Sequence, residues 1–275
     1  MSDAALVTPR HAVRTQWNEA AVRKMCREKG RQIFKCIAHD TIKGRTIGMK
    51  ERCILEAHRG KRKRGGHTVK DLPYSIEIAI GMKVMVTNNI ETDLDITNGA
   101  RGEIIDIILH PDEPPIDANE AIIRLKYMPA YLLVKLSRTR ATRLEGLDEC
   151  VIPIEPVSTK YRIKISVNGK MIQRTVERRQ FPLTAAYAFT DYRSQGQTII
   201  YVIVDIASPP SGGLSLFNLY VALSRSSGRE TIRLLRDFDD EIFAKEHDQP
   251  LIREDRRLET LNTETRRWYE KVVLS

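Results

Sequence analysis

Residues 180–206 read QFPLTAAYAFTDYRSQGQTIIYVIVDI, and this stretch predicts the fold. Its apolar segments, 185–189 and 201–206, have the composition of strands buried on both faces, which is typical of parallel sheets. A polar turn at 190–198, rich in hydroxyl, amide and glycine residues, joins them. Backbone N–H groups and short polar side chains beside Arg193 suit an extended phosphate chain. An ordinary strand-to-helix connection explains the same residues equally well.

Further α/β elements flank this stretch. Residues 4–8 predict a short buried strand, and Pro9 then opens a helix whose apolar residues recur at helical spacing as far as Met25. Gly30 ends that helix. The other predicted elements are a strand at 33–38, a helix near 49–59, a helix at 216–224, a strand at 231–235 and a charged, helix-prone segment at 253–273.

A β-rich region interrupts these elements. Between about residues 74 and 173 the sequence has short β-type runs separated by turn signals, among them the hairpin-type dipeptides Asn98-Gly99 and Asn168-Gly169. The predicted strands are 76–80, 83–87, 103–109, 121–126, 131–136 and 161–167. We therefore expect an α/β domain (1–70 and 178–245) that is interrupted by a β-rich insertion (71–177) and followed by a helical tail (246–275).

The composition is that of a globular chain with a basic N-terminal part. Of 275 residues, 41% are apolar and 29% charged, and no apolar run approaches a membrane helix in length. Residues 1–80 contain 18 Lys and Arg against 8 Asp and Glu, whereas the remainder is almost neutral. This distribution favours a polyanionic partner, although a solvated basic face explains it equally well. Four scattered cysteines and a start unlike a signal peptide predict a reducing, intracellular compartment.

An arginine, Arg225, follows the predicted helix at 216–224. A cation there interacts favourably with the helix dipole, by about 0.3 to 1 kcal/mol, and this role alone would explain it. The functional alternative is an arginine finger, because a guanidinium stays charged and can donate two parallel hydrogen bonds to a phosphoryl group.

Five short segments follow one another in a characteristic order. They are Val7-Thr8-Pro9-Arg10 with Asn18, the Gly81-Met82-Lys83-Val84-Met85 segment, the turn at 97–102, Gln180-Phe181-Pro182 with 190–197, and Tyr220-Val221-Ala222-Leu223-Ser224-Arg225. In this order the sequence resembles the second motor domain of the Pif/RecD-type superfamily 1 DNA helicases, whose motifs IV, V and VI correspond to the first and the last two segments. The resemblance implies an α/β fold, with a RecA-like parallel sheet covered by helices and interrupted by a small SH3-like β insertion.

The resemblance also implies roles for individual residues. As catalytic groups it implies Arg225, an arginine finger that reaches the γ-phosphate of ATP, and Gln195 in the nucleotide cleft. Gly196 and Arg10 would bind the nucleotide. Thr190, Arg193 and Ser194 would contact the backbone of single-stranded DNA or couple it to the cleft.

The sequence departs from that family in two respects. Asp191-Tyr192-Arg193 stands where Ile-His-Lys is usual, so a carboxylate lies near the expected phosphate site. The P-loop is missing too, since neither Gly60-Lys61 nor Gly169-Lys170 has a glycine five residues earlier or a following Ser or Thr. We therefore expect that ATP and Mg²⁺ are held mainly by an absent P-loop motor domain, joined in cis or supplied in trans.

Two hypotheses of different classes follow. The first is the C-terminal motor half of an ATP-dependent 5′-to-3′ DNA helicase, inactive as an ATPase on its own, with single-stranded DNA as its partner and no role at a membrane. By the same resemblance we expect a nuclear or mitochondrial location and work in DNA repair, recombination or telomere maintenance. The second is a remnant that binds single-stranded nucleic acid without hydrolysis. A translated fragment without function is a third alternative.

Other motifs are less specific. The run Lys61-Arg62-Lys63-Arg64 matches a nuclear localisation signal and equally a bare basic loop. No metal site is expected, because the sequence lacks Cys-x-x-Cys and His-x-x-x-His pairs. The acidic run Asp239-Asp240-Glu241 is better explained as a solvated face than as a nuclease centre.

Overall fold

The computed structural model describes residues 4–49, 51–53, 55, 72–141, 143–167, 170–195, 198–208 and 213–273. The predictions at 60–66, at Asn168-Gly169 and at Gly196 lie outside the described residues. Of the helix predicted near 49–59, residues 49, 51–53 and 55 are helical, and the remainder lies outside them too.

The chain forms two compact units, one made of Met1–His11 with Phe189–Ser275 and the other of Ala12–Ala188. The helices are α1 (His11–Lys29), α2 (Asp191–Ser194), α3 (Leu216–Leu223) and α4 (Gln249–Val273), with 3-10 turns at Arg229–Thr231 and Asp240–Ala244. The strands are β1 (Ala5–Val7), β2 (Ile33–Ile37), β3 (His39–Ile42), β4 (Arg45–Thr46), β5 (Ser75–Ile78), β6 (Lys83–Val86), β7 (Arg101–Ile108), β8 (Ile122–Arg124), β9 (Tyr131–Leu136), β10 (Val151–Ile154), β11 (Val157–Val167), β12 (Lys170–Gln180), β13 (Leu183–Ala185), β14 (Ala188–Phe189), β15 (Val202–Val204) and β16 (Ile232–Leu234).

A four-stranded sheet, ordered β14-β1-β15-β16, forms the centre of the first unit. β15 pairs in parallel with β1 on one side and with β16 on the other. Leu6, Val7 and Val204 are fully buried, as expected of strands covered on both faces. The predicted strands at 4–8, 201–206 and 231–235 are thus confirmed, and so is the helix at 216–224, which forms as α3 with Ser215 as its N-cap.

The second unit is mainly antiparallel β structure. Its largest sheet has the order β10-β9-β7-β6-β13, and a second sheet joins the long β11–β12 hairpin to β3 and β4. A third sheet has the order β5-β2-β8. The main apolar core lies between α1 and the first and third of these sheets, with Ile104, Leu132, Val134 and Phe181 completely buried. The β-rich second unit therefore lies in sequence between β1 and β14 of the first unit's sheet.

The prediction of one buried parallel strand at 185–189 is wrong. Ala185 ends β13, which pairs antiparallel with β6, and the next strand, β14, has two residues. The cause is the side chain of Asn18 on α1, whose Oδ1 accepts from the N–H groups of Tyr187 (3.0 Å) and Ala188 (2.8 Å). Because those donors bind a side chain, they do not continue a strand ladder.

A buried ion pair joins β12 to β3. Arg178 Nε donates to Asp40 Oδ1 and Nη2 donates to Asp40 Oδ2, both at 2.7 Å, while Nη1 donates to the Leu72 carbonyl at 3.1 Å. The guanidinium carbon also lies 5.7 Å from the ring centre of Tyr74 and 5.6 Å from that of Tyr161. Both charged side chains are almost completely shielded from solvent. The pair therefore belongs to the interior of the second unit.

Candidate functional site

In the first unit, polar side chains meet where the parallel strands end. Thr8 follows β1, Asp205 follows β15, and Thr8 Oγ1 donates to Asp205 Oδ2 at 2.8 Å. Arg236 Nε lies 3.2 Å from Asp205 Oδ1, and Arg10 Nε lies 4.0 Å from Oδ2. Asp205 is buried, so the two guanidinium groups compensate a carboxylate that solvent does not reach. Carboxyl ends of parallel strands are the usual position of ligand sites in α/β folds.

Arg10 also binds the segment that follows β15. Its Nη2 donates to the carbonyl groups of Ser208 (2.9 Å) and Ala207 (3.4 Å). These contacts, with the ion pair to Asp205, fix Arg10 at the edge of the sheet. In this conformation the side chain stabilises the ends of β1 and β15.

The polar turn after β14 is a single helical turn, α2. The N–H groups of Arg193 and Ser194 donate to the Thr190 carbonyl at 3.0 Å, and Ser194 Oγ donates to the Asp191 carbonyl at 2.8 Å. The prediction that this turn exposes its backbone N–H groups is therefore wrong for residues 193 and 194. Thr190 and Ser194 are buried, whereas Gln195 is exposed directly after the turn.

The unusual Asp191 has a structural partner. Asn218 on α3 donates its side-chain N–H to Asp191 Oδ2, and Asp191 is buried. Beside this contact the ring of Tyr192 lies 6.4 Å from that of Phe217. The carboxylate thus helps to hold α2 against α3, and it does not stand in solvent as a negative charge near a phosphate.

Arg225 joins the end of α3 to α2. Its Nη1 donates to the Ser194 carbonyl at 2.9 Å, its Nε to the Val221 carbonyl at 2.8 Å and its Nη2 to Ser224 Oγ at 2.8 Å. The side chain is half-buried. Five predicted site residues therefore share one corner of the first unit: Thr190, Arg193, Ser194, Gln195 and Arg225. One further predicted site residue lies within the described ranges. It is Arg10, which belongs to the cluster around Asp205.

The other segments that resemble helicase motifs, at 81–85, 97–102 and 180–182, lie in the second unit. Gly81 has a φ of +86°, which a side chain would strain, and a Cβ on Gly102 would come within 2.5 Å of the Lys135 carbonyl. Gln180 is buried and accepts from the Phe181 N–H at 3.0 Å. Cys36 lies beside it, and burial raises the pKa of that thiol to about 12. These residues stabilise the fold and are separate from the candidate site.

A second feature, here called the basic cleft, lies within the second unit. It has a volume of about 840 Å³. Four of its lining residues carry positive charge, Arg52, Arg124, Lys126 and Arg179, and Glu155 is acidic. His110 and Tyr127 also line it and stack with their ring centres 4.9 Å apart, while Lys126 Nζ lies 5.1 Å from the Tyr127 ring centre. The sequence analysis missed this cleft.

Two searches of the described residues gave negative results. They contain no group of three or more His, Cys, Asp or Glu side chains placed to bind a metal ion. None of their helices has both the length and the apolar character that a membrane-spanning segment requires.

Comparison with known proteins shows what the chain is similar to. No family model matches it. By sequence it is 25% identical over 193 residues to the ATP-dependent DNA helicase PIF7 of Trypanosoma brucei brucei, a match that covers 66% of this chain and 17% of that protein. It is 25% identical over 174 residues to the ATP-dependent DNA helicase PIF1 of Danio rerio, covering 63% of this chain and 21% of that protein.

Solved structures agree with the sequence relatives. The structure of Bacteroides Pif1 bound to ssDNA matches 95% of this chain and 47% of its own length, with a TM-score of 0.59 and 16% identity. The Pif1 helicase of Candida albicans matches 94% of this chain and 50% of its own length, with a TM-score of 0.55 and 18% identity. In sequence and in fold the chain is similar to Pif1-type helicases. The predicted RecA-like α/β fold with its β insertion is confirmed.

The match covers a limited part of each Pif1-type relative. The chain spans about a fifth of the length of the curated Pif1-type proteins and about half of each solved Pif1 structure. The comparisons therefore concern a part of a longer type of protein.

Sequence reasoning missed three residues of the candidate site: Asp205, Asn218 and Arg236. Asp205 could have been found, because it directly follows the apolar run 201–204 and thus lies at the carboxyl end of a predicted parallel strand. Asn218 and Arg236 have no such signal, because only their tertiary partners, Asp191 and Asp205, distinguish them from other polar residues.

Proposed function

We propose that this chain is the C-terminal motor part of an ATP-dependent 5′-to-3′ DNA helicase. One observation carries the proposal: Arg225 of the segment that resembles motif VI donates to the carbonyl of Ser194 in the segment that resembles motif V. A residue assigned to ATP thus binds the backbone of a turn assigned to single-stranded DNA. A change at either ligand is passed to the other through this hydrogen bond.

The residues present fit part of an ATP site. Arg225 and Gln195 are the proposed catalytic groups, and Gly196 and Arg10 the proposed nucleotide contacts. Guanidinium groups suit phosphate oxygens, whereas the described residues lack a metal-ligating cluster for Mg²⁺. We therefore assign the retention of ATP and Mg²⁺ mainly to a P-loop motor domain, supplied in cis or in trans. Bound ATP supplies the phosphoryl transfer that drives movement along the strand.

The chain's own residues have three tasks in this mechanism. Arg225 exchanges its bond to Ser194 for phosphate oxygens, where its fixed charge stabilises the negative charge of the transition state. Thr190, Arg193 and Ser194 hold the DNA backbone and shift with α2 as that bond changes. Asp191 and Asn218 keep α2 attached to α3 during the exchange. The domain boundaries, a nuclear or mitochondrial location and roles in DNA repair, recombination or telomere maintenance stay predictions.

Reconstitution tests this function. Residues 1–275 alone are expected to hydrolyse no ATP above background, because no P-loop holds the phosphates in front of Arg225. Fusion to the P-loop domain of the zebrafish relative, or its addition in trans, is expected to produce hydrolysis that single-stranded DNA stimulates, measured in a coupled ATPase assay. The control is the same domain with its P-loop lysine replaced by alanine. Hydrolysis by residues 1–275 alone, or none from a complex that does form, would contradict the proposal.

The second candidate function is binding of single-stranded nucleic acid without hydrolysis, and the basic cleft favours it. Aromatic side chains beside cations form the usual platform for such strands, because every base has a face that can stack and every linker a phosphate. The stacked His110–Tyr127 pair and the adjacent Lys126, Arg124 and Arg179 provide both elements.

Replacing Tyr127 with Ala is expected to weaken binding of a labelled oligonucleotide about 5- to 150-fold, the range for loss of one stacked base. Fluorescence anisotropy would measure it, and the logarithm of the binding constant is expected to fall with the logarithm of salt concentration at about −0.7 per phosphate contacted. The control is Tyr201→Ala, an exposed tyrosine outside the cleft. A flat salt dependence, or equal affinities of the two variants, would exclude the cleft as a binding site.

A further inference from the structure

The C-terminal helix α4 is exposed along most of its length. Every residue from 253 to 272 is exposed, and the apolar side chains Leu258, Leu261 and Trp268 have 51%, 43% and 60% of their surface in solvent. Such side chains on one helix face are typical of an interaction surface. The apolar face of α4 is therefore suited to a partner.

The spacing of the apolar residues identifies the kind of partner. Leu251, Leu258 and Val272 fall on one seven-residue repeat, which Thr265 completes. Leu261 and Trp268 fall on a second repeat three residues later, which begins at Glu254. Two such repeats offset by three form the a and d positions of a coiled coil, whose natural partner is another helix with the same repeat.

Charge favours an antiparallel pair of two α4 helices over a parallel one. In parallel register Glu254 would face Glu254 of the second copy, and the flanking Arg257 and Glu264 would face Asn262 and Tyr269. In antiparallel register Arg257 faces Glu264 of the second copy, and the symmetry of the pair repeats that contact. Arg257 already bonds Glu254 within α4 at 2.6 and 2.8 Å, and its five N–H donors allow a second carboxylate.

The antiparallel register also arranges the core. Leu258 packs against Leu261 of the second copy on both sides of the centre, and Leu251 packs against Trp268 at the two ends. Thr265 meets Glu254 in a polar layer between them, a device that fixes register in coiled coils. We propose that α4 is a homodimerisation helix that pairs antiparallel with α4 of a second copy of this chain.

Sedimentation of residues 1–275 over a range of concentrations tests the pairing. The unmodified chain is expected to form dimers, and Leu258→Asp with Leu261→Asp is expected to leave monomers. Glu264→Arg alone, which places Arg opposite Arg257, is expected to raise the dimer Kd about 10-fold, and adding Arg257→Glu is expected to restore it. Circular dichroism of each variant checks that α4 remains helical.

The emission of Trp268 tests the orientation in a Trp17→Phe background. Leu251 lies about 25 Å from Trp268 along one helix, at a rise of about 1.5 Å per residue, so within one copy it cannot affect that ring. In the antiparallel dimer the Leu251→Gln change is expected to shift Trp268 emission to longer wavelength. A monomer at every concentration, dimers that persist with both aspartates, or no rescue by the charge exchange would overturn the proposal. Monomers would assign the apolar face to another protein or another part of a longer chain.

Discussion

Replacing Arg225 with Ala is expected to lower kcat for DNA-stimulated ATP hydrolysis about 10³-fold or more in the assembly with a P-loop domain, the effect of losing an arginine finger. The KM for ATP is expected to change little, because an arginine finger acts mainly on charge that develops in the transition state. Arg225→Lys is expected to recover a small part of the rate, since an ammonium keeps the charge and loses the paired donors. A coupled ATPase assay measures all three values.

Arg225 also has structural contacts, so the experiment needs a control for them. One of its three hydrogen bonds connects the end of α3 with α2, the other two lie within α3 and its C-cap, and their loss costs roughly 1 kcal/mol each in stability. Thermal denaturation of each variant separates that cost from the loss in rate. Arg229→Ala, an exposed arginine four residues later, is the matched control and is expected to keep full activity. A rate for Arg225→Ala within about 10-fold of the unmodified protein would remove Arg225 from catalysis, on the scale of arginine fingers.

The elements of the parallel sheet could be predicted because their residues alone determine their burial. Residues 4–8 and 201–206 are apolar on both faces, and only a covered sheet accommodates such runs. The prediction of a strand at 185–189 was wrong because the structure there depends on a distant residue. Its backbone donors bind Asn18, which lies about 170 residues earlier, and no local pattern carries that information.

Some features of the candidate site could likewise be predicted from sequence, and others could not. The order of the motifs predicts that the turn at 190–195 and Arg225 have one function, and the structure places them in contact. The sequence analysis placed the carboxylate of Asp191 near the expected phosphate site. It could not show the hydrogen bond from Asn218, because Asn218 belongs to α3, a separate element. The basic cleft was missed because its four cations come from three separate segments of the second unit, and none of these segments is unusual by itself.

The buried ion pair of the second unit, Arg178 with Asp40, could not be predicted from local sequence. In β12 the run Glu177-Arg178-Arg179 looks like a solvated face, yet Arg178 is 2% exposed and its neighbour Arg179 is exposed. Strand alternation explains the difference, since adjacent side chains point to opposite faces. Which of the two arginines is buried depends on the position of Asp40 in β3, to which Arg178 is directly paired in register.

Breaking this pair is expected to give the largest loss of stability. Arg178→Met or Asp40→Ala alone is expected to lower the free energy of unfolding of the second unit by about 3–5 kcal/mol, because each leaves one buried charge without its partner. The double variant removes both charges and is expected to be less destabilised than either single one. Urea denaturation followed by Trp17 fluorescence, in a Trp268→Phe background, measures the cycle. Arg179→Met is the matched control, with an expected change below about 0.5 kcal/mol. Additive effects of the two single changes would mean that Arg178 and Asp40 contribute independently, and that the low-dielectric interior does not couple their charges.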